Sequence, residues 1–253
     1  IQKFSEAFSG YTNVSLDILY EDADIILINK PVGMLSQKAA RSDESLVEHL
    51  ISYLIQSHAL TEEDLRTFRP SICNRLDRNT SGIVAAGKSM AGLQSLSQMF
   101  HDRTIGKYYL CLTAGIIEKP SRVEGWLFKD ERTNKVEILF QERPGSARII
   151  TEYRPKSHDG VTLLEVHLIT GKTHQIRAHL ASVGHPLIGD HKYGASQINR
   201  EYEQKYHLQS QLLHAARLQF PVCTQTLCNV SKKEFTAPLP KQFYRIAAEK
   251  GVL

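Results

Sequence analysis

The feature that most restricts the fold is a run of strand-like segments between residues 107 and 170, with no helical pattern among them. The segments are rich in β-branched and aromatic residues, which favour extended structure, and they span residues 107–114, 122–128, 135–141, 147–155 and 161–170. Strands that follow one another without an intervening helix pair mostly with antiparallel neighbours. The sequence therefore predicts an α+β fold with a mostly antiparallel or mixed β-sheet and flanking helices.

Apolar patterns outside this region predict the remaining elements. Further strands are expected at residues 25–28, 82–86 and 212–220. Four helices are expected: residues 43–57 capped by Ser42, a helix after Ser89 with Met90, Leu93, Leu96 and Phe100 inward, residues 173–184 capped by Thr173, and residues 241–250. Turn signals in HPLIGDHKYG predict a loop at residues 185–194. Residues 1–20 are interpreted as a leader segment that precedes one domain, residues 21–253.

Composition and cysteine spacing favour a globular protein of the cytoplasm. The chain of 253 residues is 42% apolar and 23% charged, and no apolar run reaches the length of about 20 residues that crosses a membrane. The cysteines form no CxxC pair, which argues against a zinc ribbon and favours free thiols; they are Cys73, Cys111, Cys223 and Cys228. Since GxGxxG and P-loop motifs are also missing, no nucleotide cofactor is expected.

The charge is distributed unevenly along the chain. Residues 1–64 contain 4 Lys and Arg against 11 Asp and Glu, a balance of −7, whereas residues 65–253 contain 27 against 16, a balance of +11. A basic region of this kind is typical of a protein with a polyanionic partner. A mixed, solvated surface explains the same charges equally well.

One acidic residue lies within a basic, hydroxyl-rich stretch, CNRLDRNTSGIVAAGK at residues 73–88. Asp77 stands between Arg75 and Arg78, and their positive charge favours its ionised form. An ionised carboxylate can act as a nucleophile or a base. Aspartate also stabilises turns, so a purely structural role for Asp77 is the alternative.

A second polar cluster lies in GKTHQIRAHL, residues 171–180. At helical spacing His174 and Arg177 share one face, and the start of a helix favours anions, so a phosphate site is one interpretation. A basic, solvated helix face is the other. The histidines His174, His179, His185 and His191 lack the HxxxH and HExxH spacings, so the sequence predicts no metal site, and a metal-dependent hydrolase is the least favoured function.

Two adjacent tyrosines follow Lys107 on a predicted strand. Because successive strand side chains point to opposite faces, only one of Tyr108 and Tyr109 can enter a given cleft. A tyrosine beside basic residues can stack on a nucleobase. Two half-buried strand aromatics with no role in binding are the alternative.

Together these segments resemble the RluA-type family of pseudouridine synthases, and the likeness extends over most of the chain. NRLDRNTSG is similar to the family signature HRLDxxTSG, with Asn74 in place of the usual histidine. Four further segments are similar to family motifs in the same order: DADIILINKPVGM, KYYLCL, LLEVHLITGKTHQIRAHLASVGHPLIGDHKYG, and LLHAARLQFP with FTAPLP.

The resemblance implies a role for individual residues. Asp77 matches the essential aspartate, Tyr109 the tyrosine that stacks on the target uracil and is proposed as a general base, and Arg177 the arginine that pairs with the aspartate. Lys30 and Pro31 match a motif with a mainly structural role. The residues expected to contact RNA or to shape the aspartate loop are Arg75, Arg78, Thr80, Lys107, Lys172, His174 and Gln175.

The resemblance also implies a fold and a function. The expected fold has a bifurcated, largely antiparallel sheet with a central cleft, and an S4-type RNA-binding domain is expected upstream of the catalytic domain. The expected activity is isomerisation of uridine to pseudouridine in 23S ribosomal RNA, by a cytoplasmic monomer without cofactor or metal. A tRNA-directed synthase and a non-catalytic RNA-binding member of the fold are the alternatives.

Overall fold

The computed structural model describes residues 15–253, which form two compact units. The first runs up to Ile105 and includes Phe220–Ala237, and the second comprises Gly106–Gln219 and Pro238–Leu253. Residues 1–14 of the predicted leader lie outside the described residues, and its predicted end at residue 20 falls inside a strand, Ile18–Glu21.

The first unit is built around a strand that is buried along its whole length, β4 (Ser81–Gly87). It pairs antiparallel with β2 (Ile25–Lys30) and β3 (Ser71–Ile72), and β2 pairs antiparallel with β1 (Ile18–Glu21). The other elements of this unit are α1 (Leu46–Gln56), α2 (Met90–His101), the strand β11 (Glu234–Thr236) and 3-10 turns at Asp64–Arg66 and Gln225–Val230.

The helices of the first unit correct two predictions. Helix α1 is capped by Ser45, whose backbone N–H donates to the Glu48 carboxylate (3.1 Å), so Ser42 is not its cap. Ser89 caps α2 as predicted and accepts a hydrogen bond from the Gly92 N–H (3.0 Å). Met90 is 51% exposed instead of inward, because the buried face of the helix includes Gly92, which lies about 200° further round the helix.

The second unit contains the predicted run of strands. They are β5 (Gly106–Ala114), β6 (Ser121–Asp130), β7 (Lys135–Leu139), β8 (Ala147–His158), β9 (Val161–Leu168) and β10 (Leu213–Gln219). They pair antiparallel in the order β10-β5-β9-β8-β6-β7. This mostly antiparallel sheet with flanking helices confirms the predicted α+β fold.

Helices cover both faces of this sheet. On one face, α4 (Ser196–Tyr206) and α5 (Lys241–Glu249) enclose the larger core, which contains Leu112, Leu163, Tyr202, Tyr206, Phe243 and Ile246. On the other face, α3 (Gln175–Ser182) packs Ala178 against Leu127, Val136 and Ile149. Helix α4 was missed from sequence, because its apolar residues are few; the signal that could have found it is the spacing of four between Ile198, Tyr202 and Tyr206.

Two further sequence expectations concern the region around α3. The helix begins at Gln175 after His174, whose φ of 53° is left-handed, so Thr173 is not its cap. The predicted loop at residues 185–194 contains neither helix nor regular strand. Among residues 15–253, no helix is long and apolar enough to cross a membrane.

Candidate active site

In the first unit, the loop between β3 and β4 presents Asp77. The Thr80 N–H donates to the Asp77 carbonyl (3.0 Å), which closes a tight turn directly before β4. The hydroxyl of Ser36 donates to the Leu76 carbonyl (2.7 Å) and accepts from the Leu76 N–H (3.0 Å). The residue before Asp77 is therefore fixed by a side chain 40 positions away, and the Asp77 side chain itself stays half-buried.

Lys30 holds the other side of this loop. Its side chain is fully buried, and Nζ donates to the carbonyls of Pro31 (3.0 Å), Met34 (2.8 Å) and Arg78 (3.0 Å). Burial lowers the pKa of Lys30 to about 7, although the negative charge of Asp77 acts in the opposite direction. Three carbonyl acceptors use all three protons of an ammonium group, so this geometry is that of the charged lysine.

Asn74, which departs from the family motif, ties the segment before Asp77 to β4. Its Oδ1 accepts from the Ala85 N–H (2.8 Å), and its Nδ2 donates to the Ile83 carbonyl (3.1 Å). The side-chain amide thus pairs with both kinds of backbone group along β4. An uncharged side chain with one donor and one acceptor suits this position.

The other residues predicted near Asp77 differ in exposure. Arg75 and Arg78 are exposed, so their guanidinium groups can reach a large anionic ligand. Thr80 is only 2% exposed and lies at the end of the turn. Of these three, only the two arginines are exposed to solvent, whereas Thr80 lies within the turn before β4.

In the second unit, Tyr109 lies in β5 on the face of the sheet that α3 covers. Its cross-strand neighbours are Ala215 on β10 and Val166 on β9, and Val166 in turn faces Tyr153 on β8. Directly opposite residues of paired strands share a face, so Tyr109 and Tyr153 belong to the same face as Ile149 and α3. Tyr109 is 8% exposed.

Tyr108 points to the opposite face of this sheet. Its ring stacks on His167, with 4.5 Å between centroids, and the Arg217 guanidinium lies 3.7 Å from its centroid. These residues line a pocket of about 610 Å³, in which Glu165 pairs with Arg154 (2.6 Å) and Arg217 (3.2 Å). Tyr108, Glu165, His167 and Arg217 lie on the face of the sheet opposite Tyr109.

Helix α3 is not a solvated basic face, because residues 175–180 are all buried. Gln175 is 2% exposed: its Nε2 donates to the Ile150 carbonyl (3.0 Å) and its Oε1 accepts from the Thr170 hydroxyl (2.8 Å). His179 Nδ1 lies 2.8 Å from the Thr151 hydroxyl, and burial lowers its pKa to about 4. These two side chains anchor the helix to β8.

Arg177 forms a buried ion pair that the sequence did not reveal. Its Nε and one terminal nitrogen donate to the two carboxylate oxygens of Asp190, at 2.8 and 2.9 Å. The ring of Tyr193 lies 5.3 Å from its Cζ. Asp190 and Tyr193 belong to the predicted loop at residues 185–194. The sequence could not reveal the pair, because burial of Asp190 is its only signal and burial is not visible in the sequence.

The remaining basic residues of this unit surround the start of α3. Lys172 is exposed, and a Cβ at Gly171 would lie 3.0 Å from Lys107 Nζ, so Lys107 reaches this segment from β5. His174 Nδ1 lies 2.9 Å from the Tyr193 hydroxyl. Among residues 15–253, no group of three or more His, Cys, Asp or Glu is arranged to hold a metal ion.

Each unit thus supplies a different chemical component. The first offers a half-buried carboxylate in a rigid, basic loop. The second offers, on one face of its sheet, an aromatic ring at Tyr109 and a guanidinium at Arg177 with a fixed partner. A carboxylate can attack or accept a proton, an aromatic ring can stack on a base, and a guanidinium can orient an anion.

Comparisons with known proteins show which family the chain belongs to. The sequence profile of the family described as RNA pseudouridylate synthase matches residues 24–182. The ribosomal large subunit pseudouridine synthase D of Borreliella burgdorferi is 29% identical over 92% of this chain, and that of Zymomonas mobilis is 31% identical over 82%. The chain spans 68% and 65% of the lengths of these two curated relatives, about two thirds of each.

A solved structure supports the fold independently. Human RNA pseudouridylate synthase domain containing 4 superimposes with a TM-score of 0.73 at 20% identity, covering 98% of this chain and 96% of the human chain. The family match covers well over half of the sequence, and it includes the aspartate loop, β5 and α3. The chain therefore belongs to the RNA pseudouridine synthase family, a family of isomerases.

Proposed function

We propose that this chain is an active RNA pseudouridine synthase that modifies a uridine of 23S ribosomal RNA. Its membership of the family supports the activity, and the printed names of its relatives support the large ribosomal subunit as the source of the substrate. The main supporting observation is the placement of Asp77, on a loop fixed on both sides by Lys30 and Ser36. A rigid, half-buried carboxylate is what a positioned nucleophile or base requires.

The reaction is an isomerisation that needs no redox partner. The N1–C1′ bond of uridine breaks, the uracil turns, and a C5–C1′ bond forms; C5 loses a proton and N1 gains one. Asp77 acts as the nucleophile or base, either at C6 of the uracil or at the sugar. The target base must leave its stack, which costs a few kcal/mol and is easiest in loops.

Tyr109 is assigned to the detached uracil. Its ring lies in an apolar row with Val166 and Ala215, where water is largely excluded. Stacking on such a ring contributes about 1–3 kcal/mol per base, enough to retain the uracil while it turns. The hydroxyl of Tyr109 is the proposed acceptor of the C5 proton.

The polar residues fall into two roles. Exposed Arg75, Arg78 and Lys172 bind phosphates of the RNA, and half-buried Lys107 and His174 line the approach to α3. Buried Thr80 and Gln175 position backbone instead of contacting RNA directly, since their side chains lie inside the protein. Arg177 is assigned to the site as a residue that orients an anion through directed hydrogen bonds.

The test is conversion of uridine in defined RNAs. Wild-type protein, Asp77→Asn and the exposed-residue control Glu62→Gln are incubated with 23S transcripts and with tRNA, and pseudouridine is mapped by carbodiimide adducts and primer extension. We expect conversion of 23S transcripts by the wild type and the control, and binding without conversion by Asp77→Asn. Full activity of Asp77→Asn would refute its assignment as nucleophile or base.

The same experiment separates the alternatives. Binding without conversion by the wild type would identify a non-catalytic RNA-binding member of the fold, and conversion of tRNA alone would identify a tRNA-directed synthase. We further propose that the protein works as a monomer in the cytoplasm, where ribosomal RNA is its substrate. Analytical sedimentation of the purified chain, with and without RNA, measures its mass in solution, and we expect the mass of one chain in the absence of RNA.

A further inference from the structure

We propose that Asp190 is a positioning residue for the reaction, which fixes the plane and direction of the Arg177 guanidinium. The proposal rests on the proposed function, because it assumes that Arg177 takes part in the reaction. Its evidence is the bidentate pair in which both carboxylate oxygens of Asp190 accept from Arg177, at 2.8 and 2.9 Å. Asp190 is fully buried and Arg177 is 8% exposed, so solvent competes little for this pair.

The carboxylate of Asp190 is itself held in place. The backbone N–H groups of Lys192 (2.9 Å) and Tyr193 (3.1 Å) both donate to its Oδ1. Burial opposes ionisation of Asp190, but the hydrogen bonds and charge of Arg177 outweigh it and keep the pKa of Asp190 below its usual range. The aspartate is therefore a charged acceptor over the whole neutral pH range.

The backbone that carries Asp190 is equally constrained. Asn199 on α4 accepts from the Gly189 N–H (2.8 Å) and donates to the Asp190 carbonyl (2.9 Å). A Cβ at Gly189 would lie 2.2 Å from the Ser210 carbonyl oxygen, so only glycine fits there. The loop is thus fixed to α4 on one side and to Arg177 on the other.

An aromatic ring completes the support of the guanidinium. Tyr193 places its ring 5.3 Å from the Arg177 Cζ, and its hydroxyl accepts from the Val136 N–H (3.0 Å). The same hydroxyl lies 2.9 Å from His174 Nδ1. The guanidinium is therefore bounded by a carboxylate edge and an aromatic ring, both attached to rigid parts of this unit.

The pairing changes how Arg177 can act. Asp190 uses two of the five guanidinium N–H groups, and the planar group then points its other N–H groups in set directions. Because the pair has no net charge, its electrostatic effect falls off steeply with distance, and Arg177 acts mainly through directed hydrogen bonds. Orientation then matters more than charge, which is the property that Asp190 controls.

The test is a double-mutant cycle of Asp190→Asn and Arg177→Lys, with Ile246→Val as a control for core stability in the same unit. The readouts are the single-turnover rate of pseudouridine formation at saturating RNA and the Kd for RNA. We expect Asp190→Asn to lower the rate at least tenfold with Kd within threefold, and to add less than twofold in the Arg177→Lys background. The proposal would be overturned if the rate loss of the double variant equals the product of the two single losses. It would also be overturned if Asp190→Asn changes only the Kd for RNA.

Two further measurements keep the outcome decisive. If Asp190→Asn does not fold, Asp190→Glu keeps the charge and moves the carboxylate by one methylene, and a positioning role still requires a rate loss of at least fivefold. NMR of the Arg177 Nε–H signal, assigned by its absence in Arg177→Lys, gives a readout that needs no activity: slow solvent exchange in the wild type is expected, and fast exchange overturns the proposal. If the wild type forms no pseudouridine, the proposed function fails while this signal still decides whether Asp190 holds Arg177.

Discussion

Replacing Lys30 with methionine should loosen the loop that presents Asp77. Methionine has nearly the same volume and flexibility as lysine, so packing is preserved while the ammonium group is removed. The carbonyls of Pro31 and Met34 then lose their donor, and the Arg78 carbonyl keeps only its bond from the Gly33 N–H (2.9 Å). Arg78 follows Asp77 directly, so the change acts on the candidate catalytic residue without touching it.

The expected loss of stability can be worked from these contacts. A buried acceptor left without a donor costs about 1–3 kcal/mol, and the low end applies because these bonds are only partly buried. The two carbonyls left without a donor, those of Pro31 and Met34, cost about 1 kcal/mol each and give a decrease of about 2 kcal/mol in the free energy of unfolding. For a chain of this length that corresponds to a fall in Tm of roughly 4–8 °C.

Urea denaturation monitored by circular dichroism measures the decrease in the free energy of unfolding. The matched control is Lys233→Met, which replaces an exposed lysine. Activity is measured at a temperature where both variants are folded, and there we expect Lys30→Met to form pseudouridine at least tenfold more slowly than Lys233→Met. If Lys30→Met unfolds within about 0.5 kcal/mol of the wild type, the three contacts do not stabilise the loop and the reasoning is wrong.

Three other changes test separate parts of the structure. Tyr109→Leu should lower pseudouridine formation at least tenfold, whereas Tyr108→Leu, on the opposite face of the sheet, should keep it within threefold of wild type; equal losses in the same rate assay would contradict the assignment of faces. Asn74→Ala should lower the free energy of unfolding by about 1–2 kcal/mol in urea, since two backbone groups of β4 lose their partners, and an unchanged midpoint would argue against that support. Because burial lowers the pKa of His179 to about 4, the unfolded chain binds a proton that the folded chain does not between pH 4 and 6.5, so stability should fall as the pH is lowered through this window. His179→Gln should flatten that dependence by about 2 kcal/mol between pH 6.5 and 4.5, and identical pH profiles for variant and wild type would exclude His179 as its source.

Local sequence patterns were sufficient for most of the secondary structure. The strand predicted at 107–114 is β5 (Gly106–Ala114), and the helix predicted at 241–250 is α5 (Lys241–Glu249). Such elements depend on residues a few positions apart, which is why periodicity predicts them. Where competing caps were close together, as at Ser42 and Ser45, the choice depended on which serine could pair with Glu48.

The family motifs likewise identified Asp77, Tyr109 and Arg177 as candidate site residues, because their spacing along the chain is a property of sequence alone. The tertiary structure decided what surrounds them. Arg177 meets Asp190 across a loop, and Lys30 reaches the carbonyl of Arg78 from 48 positions away. Neither contact follows from a local pattern, since each depends on how distant segments pack and on which polar groups lose contact with water. The face of the sheet that Tyr109 occupies was also decided by strand register, because a shift of one residue would exchange it with Tyr108.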